Sequence, residues 1–62
     1  MIINVFDEIV NTDKIAFIYD YVDKSGISIT RMHFAGEDYM QVRGKTKIEV
    51  LAEINLQIAG SK

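Results

Sequence analysis

The sequence predicts an α+β fold, with a small antiparallel sheet of about four strands in a meander followed by one C-terminal helix packed on the sheet. Residues 2 to 43 contain runs rich in β-branched and aromatic residues, and clusters of turn formers separate these runs, the clearest turn being at Asp23–Gly26. Residues 46 to 60 instead show the apolar spacing of a helix. A length of 62 residues predicts one small domain, residues 1–62.

The helix is predicted over residues 47–59 because both of its ends carry a signal. Thr46 and Glu49 have the spacing of a capping box, in which each side chain accepts a hydrogen bond from the backbone amide of the other residue. Gly60 can adopt the left-handed conformation that closes many helices. No proline or glycine interrupts the residues between them.

The apolar arc of this helix is wide, at about 240° on a wheel of 100° per residue. A helix that covers one sheet face needs a much narrower stripe. We therefore expect the helix to contact both its own sheet and a second partner. Leu51 is expected to face the sheet, so that Leu51→Asp would unfold the chain. The helix residues predicted at an oligomer or partner interface are Val50, Ile54, Leu56 and Ile58.

Four strands are predicted, at about residues 2–6, 14–23, 27–35 and 39–43. In the second strand, alternation places Ile15, Phe17, Tyr19 and Tyr21 on one face. Phe17, Tyr19 and Tyr21 are therefore further candidates for an oligomer or partner interface. In the third strand the apolar pattern changes parity near Thr30, which indicates either a bulge or burial on both faces. We favour burial on both faces.

A three-residue loop closed by Ala35 and Tyr39 would align the third and fourth strands. This register places Arg31 opposite Arg43. Like charges across a sheet repel each other unless an anion or a carboxylate lies between them. The candidate contacts for an anion or a nucleic acid are therefore Arg31, Arg43, Lys45 and Lys47.

The sequence contains no pattern typical of an enzyme or of a cofactor or metal site. It has no cysteine, its single histidine is His33, and the net charge is −2. Asp20 and Asp23 lack the alternating ligands of a calcium loop. No apolar run approaches the about 20 residues of a membrane span, and the N-terminus lacks a basic signal-peptide region. A cytoplasmic protein without a cofactor is the expectation.

The order of motifs resembles that of the small flagellar FlbD-like proteins and of similar short phage proteins. The resemblance covers about residues 10–54, and it implies a small bacterial or phage accessory protein that is not an enzyme. The residues that carry it are Asn11, Asp13, Ile15, Ile18, Gly36, Tyr39, Thr46, Glu49, Val50 and Leu51. The sequence departs from the pattern between Tyr39 and Thr46, where the link is longer and Gly44-Lys45 replaces an acidic lead.

Two functions follow as expectations. The first is a homo-oligomeric protein-interaction module. A chain of this length buries on folding only about 60% of the surface that its unfolded form exposes, so association with other copies would add stability. The alternative is a small nucleic-acid-binding regulator that uses its basic edge.

Overall fold

A computed structural model describes residues 1–60 and confirms the α+β fold. It contains one two-stranded and one three-stranded antiparallel sheet, with a C-terminal helix packed against them. The elements in chain order are β1 (Ile2–Val5), β2 (Glu8–Asn11), a short 3₁₀ helix (Thr12–Lys14), β3 (Ile15–Val22), β4 (Ser28–Phe34), β5 (Tyr39–Arg43) and α1 (Lys47–Gly60). In the described part of the chain, α1 is too short to cross a membrane.

The N-terminal hairpin contains a strand that the sequence pattern did not reveal. β1 ends at Val5, and Phe6 and Asp7 form a two-residue turn into β2. Both turn residues have positive φ, at 47° and 71°. Such turns ordinarily use Asn-Gly or Asp-Gly, because a bulky residue such as phenylalanine is strained at positive φ. Without that signature, the sequence predicts only a single strand here, over residues 2–6.

The three-stranded sheet has the order β3-β4-β5. It starts after the 3₁₀ helix, where the Asn11 side chain accepts a hydrogen bond from the Asp13 amide at 3.1 Å. A register irregularity lies between Ile15 and Phe17. Because of this irregularity, Ile15 packs against the core while Phe17 is exposed. The prediction that these two residues share a face is therefore wrong.

The β3–β4 turn is the predicted one, with Gly26 at φ 80° and its amide bonded to the Asp23 carbonyl at 3.0 Å. The β4–β5 register differs from the prediction. Tyr39 pairs with His33, and the Phe34 amide bonds to the Asp38 carbonyl at 2.9 Å.

The helix begins at the predicted capping box. The Thr46 amide donates to Glu49 Oε1 at 3.1 Å, and the Glu49 amide donates to Thr46 Oγ1 at 3.3 Å. A further anchor comes from β3, where Asp20 Oδ2 accepts from the Lys47 amide at 2.9 Å. A carboxylate at this end complements the helix dipole. Gly60 is the last residue of α1, and its φ is not positive. The predicted left-handed conformation at Gly60 is therefore not observed.

The core lies between the hairpin, the inner face of the three-stranded sheet and one side of α1. Its buried residues are Ile3, Val5, Val10, Met32, Val50 and Ile54. β4 is buried on both sides, since Ile29 is 4% exposed and Thr30 is 1% exposed. Thr30 Oγ1 donates to the Lys45 carbonyl at 2.6 Å, which satisfies its buried hydroxyl. The expected burial on both faces of this strand is therefore confirmed.

Candidate functional site

The side of the three-stranded sheet that faces away from the core forms a three-by-three array, which we call the outer sheet face. Cross-strand pairing defines its three rows. They are Phe17–His33–Tyr39, Tyr19–Arg31–Gln41 and Tyr21–Ile29–Arg43. None of the nine residues is acidic, and five carry an aromatic ring. The face therefore combines planar side chains with positive charge.

Arg31 lies at the centre of the array and is held by neutral acceptors. Its Nη1 donates to the Tyr19 hydroxyl at 3.4 Å, and its Nη2 donates to the Tyr21 hydroxyl at 3.2 Å and to Gln41 Oε1 at 2.9 Å. The guanidinium carbon also lies 4.8 Å from the ring centre of Tyr39. Among residues 1–60 no carboxylate forms an ion pair with Arg31. The cation is thus oriented without being neutralised.

The rings of the outer sheet face form one connected group. His33 lies between Phe17 and Tyr39, with ring centres 4.5 Å and 5.4 Å away. Tyr19 connects this row to the others, since its ring centre lies 6.0 Å from that of Phe17 and 6.3 Å from that of Tyr21. Phe17 and Tyr39 are each 54% exposed, which leaves ring surface accessible at two sides of the array.

Two nitrogen atoms on this face are buried and have no hydrogen-bond partner within residues 1–60, namely Arg31 Nε and His33 Nε2. Desolvation on its own lowers the pKa of Arg31, but the neighbouring phenol groups of Tyr19 and Tyr21 outweigh it and raise the pKa. Arg31 is therefore positively charged at neutral pH.

The two arginines of the predicted basic edge, Arg31 and Arg43, do not face each other across β4 and β5. Arg31 faces Gln41, and Arg43 faces Ile29, so the predicted opposition of two arginines is wrong. The prediction assumed a loop closed by Ala35 and Tyr39, and the observed turn shifts the register by two residues.

The other basic side chains are dispersed. Arg43 lies on the outer sheet face and forms an ion pair with Asp23 at 3.5 Å. Lys45 pairs with Glu49 at 3.9 Å and lies 5.4 Å from the ring centre of Phe6. Lys47 is the first residue of α1 and is exposed. The four predicted cations therefore do not form one anion site.

No family model matches the chain, and no curated protein or solved structure is significantly similar to it.

A second exposed surface lies on α1, and we call it the exposed helix stripe. Its six members are exposed and occupy an arc of about 140° on the helical wheel. They are Ile48, Leu51, Ala52, Asn55, Leu56 and Ala59. Exposure reaches 72% at Ile48 and 65% at Leu56. Asn55 is the one polar residue among the six.

The structure corrects the predicted assignments on the helix. Val50 and Ile54 were candidate interface residues, but they are 0% and 6% exposed and belong to the core of the single chain. Ile58 packs against that core, so of the four helix candidates only Leu56 is freely exposed. Leu51 was expected in the core and is instead 44% exposed. The wide apolar arc includes both the side of α1 that packs on the core and the exposed helix stripe. The sequence alone does not show which of these two sides faces the sheet.

A shallow depression of about 380 Å³ is lined by Ile9, Val10, Asn11, Lys14, Phe34, Ala35 and Asp38. Only two of these side chains, Lys14 and Asp38, are ionisable. Within residues 1–60 no group of three or more histidine and acidic residues could hold a metal ion.

Proposed function

We propose that this chain is a small, non-enzymatic interaction module that associates with copies of itself through the exposed helix stripe. One observation carries the proposal: three large apolar side chains, Ile48, Leu51 and Leu56, are exposed on one side of a helix whose other side is already buried. A contiguous apolar patch on the surface of a small protein is typical of an interaction site.

The composition of the stripe favours a second copy as its occupant. None of its six residues is charged, so two identical stripes can meet without electrostatic repulsion. The small side chains of Ala52 and Ala59 allow two helices to approach closely. Asn55 has both a donor and an acceptor on its amide, so two copies can hydrogen-bond to each other across a two-fold axis. A single buried asparagine between paired helices fixes their register in this manner.

The spacing of the stripe also fits a helix pair. Ile48, Leu51, Asn55 and Ala59 follow intervals of three and four residues, which place side chains along one seam between two helices. The helix is short, at about 21 Å for its 14 residues. The buried area would therefore be at the small end of specific interfaces, and the expected association is reversible, with a micromolar dissociation constant.

The resemblance to FlbD-like flagellar and short phage proteins agrees with an accessory module in the cytoplasm. Self-association would compensate for the small core of the chain, since binding between folded copies stabilises the folded state by mass action. A further protein partner would then bind surfaces that the dimer leaves open.

Sedimentation equilibrium over a range of concentrations tests this proposal. We expect the average mass to rise above the 7.1 kDa of one chain as the concentration increases through the micromolar range. Leu56→Glu should keep the mass at that of the monomer, because it introduces a charge into the seam. Val22→Glu is the matched control, since Val22 is 64% exposed on β3 and lies outside the stripe. A control variant that also becomes monomeric would contradict the assignment of the surface.

A further inference from the structure

The outer sheet face differs from the rest of the molecule in charge. The chain has nine acidic and seven basic residues, yet the nine positions of this face contain two arginines and no acid. Asp23 approaches only its edge, through Arg43. The positive charge at Arg31 is therefore available to an anion that comes from outside the chain.

Arg31 is also preorganised for such an anion. Three neutral acceptors, on Tyr19, Tyr21 and Gln41, fix the guanidinium group above the sheet. An arginine that is already fixed loses less side-chain entropy when it binds a ligand. Because its acceptors carry no charge, an incoming phosphate or carboxylate would provide the first full neutralisation of this cation.

The occupant of this face is unlike that of the helix stripe. Two copies that met face to face about a two-fold axis would bring the two central Arg31 side chains toward each other, which is unfavourable. An acidic peptide would satisfy Arg31 but would make no specific use of the ring surfaces of Phe17 and Tyr39. A single-stranded nucleic acid supplies both a phosphate for the cation and planar bases for the rings.

We propose that the outer sheet face binds single-stranded nucleic acid without strong sequence preference. Bases stack on the accessible ring surfaces of Phe17 and Tyr39, the two most exposed aromatic residues of the face. A phosphate lies at Arg31, and Arg43 can contribute at the rim. Sheets that present aromatic side chains bind bases in the same general way. With two cations, binding is weak and its salt dependence is shallow, with a logarithmic slope of about −1.4.

Fluorescence anisotropy with a labelled mixed-sequence oligonucleotide of about 12 nucleotides tests the proposal. The full chain is titrated at low ionic strength and again at increasing salt. We expect saturable binding to single-stranded DNA and RNA and weaker binding to the corresponding duplex, whose bases cannot reach the rings.

Three variants locate the site. Phe17→Ala and Tyr39→Ala should each weaken binding by about five-fold or more, because each removes a stacking surface. Arg31→Gln should weaken binding and lower the salt slope by about 0.7. Lys47→Gln is the matched control, since it removes one positive charge from an exposed position away from this face, and it should leave the affinity within about two-fold. Circular dichroism establishes that each variant is folded.

Several results would overturn the proposal. They are the absence of binding at low salt, equal weakening by Lys47→Gln and Arg31→Gln, and full affinity in both ring variants. Tighter binding of an oligoglutamate peptide than of the oligonucleotide would assign the face to acidic proteins instead.

Discussion

The exposed helix stripe and the outer sheet face are both open surfaces, but they differ in charge, and for that reason we propose a different partner for each. The stripe contains no ionised group, and its one polar side chain, Asn55, is complementary to a copy of itself. The outer sheet face contains Arg31, which is held by neutral acceptors and would face another Arg31 in a symmetric pair. Both surfaces are exposed, so it is their difference in charge that favours a second copy for the stripe and a different molecule for the outer sheet face.

The largest expected effect is on stability, and it differs between substitutions on the buried side and on the exposed side of α1. Val50→Asp should unfold the protein, because Val50 is 0% exposed and an unpaired buried carboxylate costs several kcal/mol, comparable with the about 5 kcal/mol of total stability expected for a small domain. Leu51→Asp should keep the fold, since Leu51 is 44% exposed. Thermal melting followed by circular dichroism at low concentration distinguishes them. Loss of the cooperative transition in both variants would show that Leu51 belongs to the core.

A second effect is expected from changing Asn55, the one polar residue of the stripe. Asn55→Leu should tighten self-association by about ten-fold, because a buried asparagine stabilises a helix pair less than leucine does. The variant should also populate more than one oligomeric state, since the asparagine pair no longer fixes the register. Sedimentation velocity measures both quantities. An unchanged dissociation constant would place Asn55 outside the seam.

A smaller effect concerns the start of the helix that carries the stripe. Thr46→Ala removes the side chain that caps the Glu49 amide and should lower the free energy of unfolding by about 1 kcal/mol. Denaturant unfolding measures this change. Thr12→Ala is a matched control, because the Thr12 hydroxyl likewise bonds to the backbone, here by donating to the Met1 carbonyl, but on an exposed segment outside α1. A larger loss in the control would contradict the importance of the cap.

Local sequence signals predicted some elements correctly, because the chemistry behind them is local. The capping box at Thr46 and Glu49 formed as predicted, and so did the Asp23–Gly26 turn. Alternation also placed Phe17, Tyr19 and Tyr21 together on an exposed face. Each of these depends on residues that lie within a few positions of one another.

Other features depended on long-range contacts and could not be predicted from the pattern. β2 was missed because the Phe6-Asp7 turn has no glycine or asparagine to announce its positive φ. Arg31 lies next to Gln41 because the β4–β5 turn sets the register between these two strands, and the geometry of that turn differs from the predicted one. The side of α1 that faces the hairpin could not be read from an apolar arc that surrounds most of the helix.

The candidate site itself was only partly foreseen. The sequence identified three of its rings, on one face of β3, and its two arginines, but not that the rings and the arginines share a face. His33 is the single histidine of the sequence and belongs to no catalytic or metal pattern, yet it lies at the centre of a ring row and connects Phe17 to Tyr39. Only the strand pairing brings these three residues together.

Sedimentation equilibrium of the wild type beside Leu51→Asp and Val22→Asp tests whether the exposed helix stripe binds a second copy of the chain. We predict that the wild type and Val22→Asp associate reversibly in the micromolar range, while Leu51→Asp stays at the mass of one folded chain. A wild-type protein that remains at 7.1 kDa throughout that range would contradict the assignment of the exposed helix stripe to a second copy.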